Sequence, residues 1–312
     1  MINILFVIDK YIDKHTKTMS SDLTGEMLTC KQSGLFTPSF LYTDECNNIN
    51  DDLKTYLYYY KIDAIFFSYF AGDPRLNPNV DTLQYIKTGY PTTKLVFMWW
   101  DVLFHQYIRD CIKQTDDFAD LHITFDGSNL KECNLSQRGV SFICPQPDNL
   151  FFPDEKTIDV SFLGRVNTYN DRCMYLKYLL GNGININIRG GRAEEYLSDE
   201  EYAKILRQSK ITINFPLAQS GIVYQLKEKV FQALVCKTLL LEMENPLTKE
   251  YLTPGYDYVE YSTPHNLLNE IQFCLEYEKY RQETTEHGYK KYHQKYHHSI
   301  MWNYIKEEIL KL

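Results

Sequence analysis

Glycine is missing where a dinucleotide-binding protein needs it most. The stretch after the first apolar run, Asp9-Lys-Tyr-Ile-Asp-Lys-His15, cannot form a G-x-G-x-x-G turn, and no G-x-x-x-x-G-K-[ST] phosphate loop occurs in the 312 residues. Both absences argue against NAD and P-loop ATP chemistry. The chain also lacks C-x-x-C and H-E-x-x-H spacings, and His293, His297 and His298 fall in a Tyr/Lys-rich stretch that reads as a solvated helix, so no metal site is predicted. The eight cysteines are scattered, most of them inside apolar runs, as suits buried thiols in a reducing compartment. No apolar run approaches the ~20 residues of a membrane span, and Met1 to Asp9 carries neither a basic leader nor a small-residue cleavage site; the expectation is a cytoplasmic protein without a transmembrane segment. Positive charge is in short supply too. Lys and Arg number 33 against 41 Asp and Glu, a net charge of -8, so the chain has no general basic field for nucleic acid or an anionic membrane.

What is present is an α/β rhythm. Strand-like runs at Ile2 to Ile8, Ser39 to Tyr42, Ala64 to Tyr69, Leu95 to Trp99, Leu121 to Phe125 and Val140 to Cys144 alternate with helix-length amphipathic segments. The rhythm restarts at Asp159 to Leu163, Ile184 to Ile188, Ile211 to Phe215, Thr238 to Glu242 and Tyr256 to Glu260. Between the two halves, Cys144-Pro-Gln-Pro-Asp-Asn-Leu-Phe-Phe-Pro153 restricts both helix and ladder pairing and reads as a connector. The expected plan is residues 1–146 and 153–295 as two doubly wound domains, with 296–312 a terminal helix. Ser198-Asp-Glu-Glu201 is a capping box, and Thr263-Pro264 starts another helix. The run Tyr56 to Tyr60 reads as an amphipathic helix packing on its sheet rather than as a platform for a sugar.

Chemistry concentrates just after the connector. Asp159-Val-Ser-Phe-Leu-Gly-Arg165 is a buried strand ending in Gly-Arg. From Gly164 to Arg192 the chain carries Arg165, Arg172, Lys177, Arg189 and Arg192 against Asp171 alone, inside an acidic protein. Ligands of open α/β sheets bind at the carboxyl ends of the strands, where turn amides and helix N-termini favour anions. Arginines on solvated loops give the same composition, but Arg165 and Arg189-Gly190 follow consecutive strands, so an anion site is the economical reading. Charge-assisted bonds of roughly 1.5–3 kcal/mol each would hold a diphosphate.

The succession Asp159 to Arg165, Arg172, Arg189-Gly190, Ser209-Lys-Ile-Thr-Ile-Asn-Phe215, Leu226-Lys-Glu-Lys-Val-Phe-Gln-Ala-Leu-Val-Cys236 and Leu239-Leu240-Leu241 resembles the group 1 glycosyltransferases, and among them the spore-maturation-like branch. The likeness runs from about Leu95 to the end. It implies a GT-B architecture, two Rossmann-like domains facing across a cleft, with the donor nucleotide-sugar on the second domain, the acceptor on the first, and the last helix crossing back. It places Gly164, Arg165 and Arg172 by the donor phosphates, with Arg189 and Gly190 beside them, and arginines stabilising the leaving diphosphate would remove the need for a metal or other cofactor. Lys229 stands where the branch often has Arg. Gln232 replaces a Glu that takes the ribose hydroxyls, and Lys237 replaces the usual small Gly. For Gln232 and Lys229 an ordinary polar helix face is the alternative.

In the first half, Val96-Phe-Met-Trp-Trp-Asp101 is a strand ending in two tryptophans and an acid, with His105 a helical turn later. Asp101 and His105 are the candidate catalytic bases and the rings a platform for an acceptor; core packing and helix capping by Asp101 explain the same residues. The sequence thus reads as a metal-independent glycosyltransferase moving a sugar from a nucleotide-sugar to a hydroxyl acceptor, a glycan, lipid or small molecule. The alternatives are a nucleotide-sugar epimerase and a non-catalytic sugar- or nucleotide-binding protein of the same fold.

Overall fold

The protein's structure, a computed structural model, describes residues 1–13, 18–19, 21–68, 77–102, 106–127, 139–166, 170–190, 197–217 and 223–311. The chain divides into two compact units, Met1–Pro147 with His298–Leu312, and Asp148–His297.

The first unit contains β1 (Ile2–Ile8), a short antiparallel pair β2 (Tyr11–Asp13) and β3 (Thr18–Met19), α1 (Ser21–Ser33), β4 (Phe36–Tyr42), α2 (Ile49–Tyr59), β5 (Ala64–Ser68), α3 (Val80–Gly89), β6 (Lys94–Trp99), α4 (Gln106–Thr115), β7 (Leu121–Thr124) and β8 (Gly139–Ser141). Its main sheet is parallel throughout, in the order β4-β1-β5-β6-β7-β8. Strands buried on both faces read as continuous apolar runs, and β1 shows why: Leu5 and Val7 join one core with Leu53 and Leu57 of α2, Leu83 and Ile86 of α3 and Ile112 of α4, while Ile4, Phe6 and Ile8 join the other. Two tight starts fix α2 and α3: the Asn48 and Asn79 side chains cap them by accepting from the backbone N–H groups of Asn50 and Thr82.

The second unit contains β9 (Ile158–Leu163), α5 (Asn170–Gly181), β10 (Ile186–Arg189), α6 (Asp199–Gln208), β11 (Ser209–Asn214), α7 (Glu228–Val235), β12 (Leu239–Met243), α8 (Pro246–Tyr251), β13 (Val259–Tyr261), α9 (Pro264–Glu276) and α10 (Glu278–Lys295). Its parallel sheet has the order β10-β9-β11-β12-β13. The Ser198 capping box forms as its spacing predicts, and Thr263 caps α9 with Pro264 in the first turn.

The last helix, α11 (His298–Lys311), belongs to the first unit and closes its second core. Trp302 is fully buried there. It sits edge-on to Phe6 and Phe36, and its Nε1 donates to Thr29 Oγ1 at 2.9 Å.

Some element bounds and one strand pairing differ from expectation. The strand expected at Ile184 begins at Ile186 and ends on Arg189. The β2–β3 pair was not anticipated, because residues 9–15 hold no turn-forming glycine. The tyrosine run does fall on an amphipathic helix packed on its sheet: Ile49, Leu53 and Leu57 are the buried residues of α2 and Tyr56 packs against the same core, while Tyr58, Tyr59 and Tyr60 are exposed.

Candidate functional site

Both sheets reverse their winding beside their first strand, between β1 and β5 and between β9 and β11. Such a switch point leaves a crevice at the carboxyl ends, since the helices on either side leave in opposite directions. In the second unit a level row crosses this edge. Arg189 pairs with Leu163, Asn214 with Glu242 and Glu242 with Glu260, and the β9–β11 register sets Asn214 level with Leu163.

Two glycines let the backbone close on itself here. Gly164 has φ +148° and its N–H donates to the Arg189 carbonyl at 2.9 Å. Gly190 has φ +78°, and a Cβ on it would lie 3.4 Å from the Gly164 nitrogen. A side chain at either position would be strained.

Cations flank the switch point. From α5, the Arg172 guanidinium donates to the carbonyls of Arg165 (3.3 Å), Phe215 (3.4 Å) and Leu217 (3.5 Å), so it spans the ends of β9 and β11. From the first turn of α7, Lys229 is half-buried, donates to the Leu163 carbonyl and lies 4.9 Å over the Phe162 ring. Burial, with the positive charges of Arg172 and Lys227, pushes its ammonium down to about 7, against the pull of Glu242. Arg165 and Arg189 are exposed.

The sequence reading missed the carboxylate beneath these cations. Glu242, fully buried at the end of β12, accepts from Asn214 Nδ2 (2.7 Å), Asn245 Nδ2 (3.3 Å) and Thr248 Oγ1 (3.2 Å). Burial pushes its carboxyl up to about 7, opposed by those hydrogen bonds and by Lys229. The available signal was a polar residue closing an apolar strand, in Ile-Thr-Ile-Asn214 and Leu-Leu-Leu-Glu242.

Gln232, one turn beyond Lys229 on α7, is 5% exposed, and its Oε1 accepts from the Tyr202 hydroxyl at 2.9 Å. Lys237 adopts φ +49°, the conformation glycine favours, and its ammonium bonds Glu286 at 2.6 Å.

In the first unit, Trp99 is buried and its Nε1 donates to His122 Nδ1 at 3.0 Å; that bond assigns the imidazole proton to Nε2, 3.3 Å from Asp116. Burial holds His122 down at about 4, so it is neutral at pH 7 despite the carboxylate. Trp100 stacks on Phe125 at 5.0 Å. Asp101 is exposed at φ +55°, at the carboxyl end of β6. His105 lies outside the described residues.

Residues 166–306 match the family model described as glycosyl transferase-like. The chain has the two-sheet α/β architecture of the GT-B fold, and its second half is similar to that family. Solved glycosyltransferase structures match over its whole length: HepE from Anabaena, in complex with UDP and glucose, at TM-score 0.67 and 11% identity with all of both chains covered; sucrose-phosphate synthase from Thermosynechococcus elongatus at 0.63 and 9%, again with both chains fully covered; and AviGT4, involved in avilamycin A biosynthesis, at 0.62 and 8%, with 100% of this chain and 98% of that one covered. No curated protein sequence matches. Among the described residues no helix is long and apolar enough to cross a membrane.

Proposed function

We propose that this chain transfers a sugar from a nucleoside diphosphate sugar to a hydroxyl acceptor without a metal ion, as the spore-maturation-like branch would. The observation that carries the reading is the convergence of Arg172 and Lys229, from two helices, on the switch point of the second sheet beside the Gly164–Gly190 contact. Cations fixed where a diphosphate departs stabilise the developing charge, and in a site screened from water each is worth more than in solution. Arg165 and Arg189 extend the positive edge towards the phosphates. Glu242, held by three donors, is the counter-charge that keeps the cluster from repelling itself. That HepE was solved with UDP and with UDP-glucose supports this class of donor.

Gln232 is assigned to a ribose hydroxyl through its amide. Its engagement by Tyr202 weakens that contact and is the one observation favouring a non-catalytic nucleotide-binding protein. On the first unit, Asp101 and His105 are assigned as candidates for the acceptor's base.

Titration calorimetry with UDP-glucose in the presence of a chelator tests the core of this reading. Binding that survives chelation and is weakened by Arg172→Ala is the expected result; binding that requires added metal rejects the metal-free part. Release of UDP on adding a hydroxyl acceptor, with free glucose absent, separates transfer from both epimerisation and passive binding.

A further inference from the structure

The tyrosines left outside the core in the first unit form a surface that the proposed reaction does not use. Helices α2 and α3 lie side by side: at their N-terminal ends Asn50 Oδ1 accepts from Asn79 N and Thr82 Oγ1, both at 2.9 Å. Their C-terminal ends, which lead into β5 and β6, therefore crop out together at the amino edge of the sheet, away from the strand ends that carry Trp100 and Asp101. There Tyr58 is 77% exposed, Tyr59 71%, Tyr60 58% and Tyr85 43%. The rings pair within each helix end, and a cation bridges the two helices. Tyr58 and Tyr59 meet at 5.1 Å, Tyr85 and Tyr90 at 6.0 Å, and the Lys54 ammonium lies 5.4 Å over the Tyr85 ring.

Charge at this edge runs against the rest of the chain. Residues 54–61 contain Lys54 and Lys61, residues 85–94 contain Lys87 and Lys94, and neither segment has an acid, within a protein of net charge -8. Two acids lie beside these segments: Asp63 accepts from the Asn3 N–H, and Asp120 accepts from the Leu95 N–H and offsets Lys87, so Lys54, Lys61 and Lys94 carry the local positive charge.

We propose that this tyrosine–lysine edge docks the enzyme on an anionic lipid bilayer surface. Tyrosine favours the headgroup level, where its ring is buried and its hydroxyl stays wet, and each lysine near an anionic surface adds attraction. The exposed pair Tyr58–Tyr59 is inclined at 86° and Tyr85–Tyr90 at 63°. Rings splayed in several directions suit the headgroup layer, which presents no ordered face. Docking through the amino edge leaves the carboxyl ends of the sheet uncovered.

Co-sedimentation of the full chain with vesicles tests this, using phosphatidylcholine alone and phosphatidylcholine mixed with phosphatidylglycerol. The expected result is binding to the mixed vesicles only, weakened by salt. Lys54→Gln with Lys61→Gln should lower the partition constant about 30-fold, and Tyr58→Ser, Tyr59→Ser and Tyr60→Ser together should lower it further at high salt, where the charge contribution is screened. Circular dichroism and unchanged UDP-glucose binding confirm that these surface variants stay folded. Absence of vesicle binding by the native chain overturns the proposal, as does equal binding to neutral vesicles or binding indifferent to both sets of substitutions. Retention on immobilised polyglutamate that the lysine changes abolish, without vesicle binding, would reassign the edge to an acidic protein partner and overturn it too.

Discussion

The two units wind their parallel sheets in the same sense yet furnish the carboxyl edges differently. In the second, the edge carries a glycine pair, two inward-held cations and a buried carboxylate with three donors. In the first it carries two indoles, one of them locked to a neutral histidine, and the exposed Asp101. A doubly wound sheet supplies only the crevice; the few residues at strand ends decide whether it grips an anion or presents a ring and a carboxylate. The units also close their cores differently, since only the first borrows a helix from the far end of the chain.

That last contrast gives the largest expected effect. Trp302→Ala removes a fully buried indole between α11 and β1 and should destabilise the first unit by about 3–5 kcal/mol. Urea unfolding followed with unit-specific probes should show two transitions in the variant, the first one shifted. Coincident shifts of both would erase the distinction between the units.

Next comes Glu242→Ala, which strands the buried donors of Asn214 and Asn245 and should cost about 2–3 kcal/mol, read as a lower urea midpoint. With its carboxyl raised to about 7, Glu242 contributes stability that is complete below its unfolded value and lost as pH rises through 7; Glu242→Gln should flatten the stability profile between those limits.

Binding at the second edge should respond more modestly. Arg172→Ala removes a charge-assisted contact and should weaken UDP-glucose by roughly 10- to 100-fold, from 1.5–3 kcal/mol. An unchanged dissociation constant would take Arg172 out of the site. Lys229 sharpens the same point through pH. Its ammonium is depressed to about 7, so the cation the diphosphate needs is present below that pH and lost above it. UDP-glucose, whose diphosphate does not titrate there, should bind more weakly as pH rises through 7, and Lys229→Met should remove that slope.

The smallest effect is expected at Lys237. Glycine at φ +49° relieves about 1 kcal/mol of backbone strain but loses the half-exposed pair with Glu286, worth up to about 1 kcal/mol, so Lys237→Gly should leave the melting temperature within a few degrees of the native value. The glycine that the family resemblance leads one to expect at this position is explained by that dihedral, and the lysine is accommodated by its own ion pair.

Much of the fold was legible because the signals are local. Ile2–Ile8 and Leu239–Met243 are apolar runs of strand length, and Ser198 with Glu201 satisfies a helix start within four residues. The helix at the tyrosine run was legible in the same way: Leu53 and Leu57 supply the buried stripe of α2, one turn apart, leaving the rings at 58, 59 and 60 outside. At the candidate site, Gly164 and Arg172 were legible as turn and charge, whereas Glu242 looked like the polar end of a strand until its three donors were in place.

Sequence alone determined that the chain holds two α/β halves on either side of the proline-rich stretch Cys144 to Pro153 and which strands are buried, because periodicity, prolines and caps act over a few residues. Only the tertiary structure decided that Arg172, Lys229, Asn214 and Glu242 share one edge, because strand register and the reversal of winding join segments remote in the chain, and no local pattern encodes which polar side chains will then have to neutralise one another away from water.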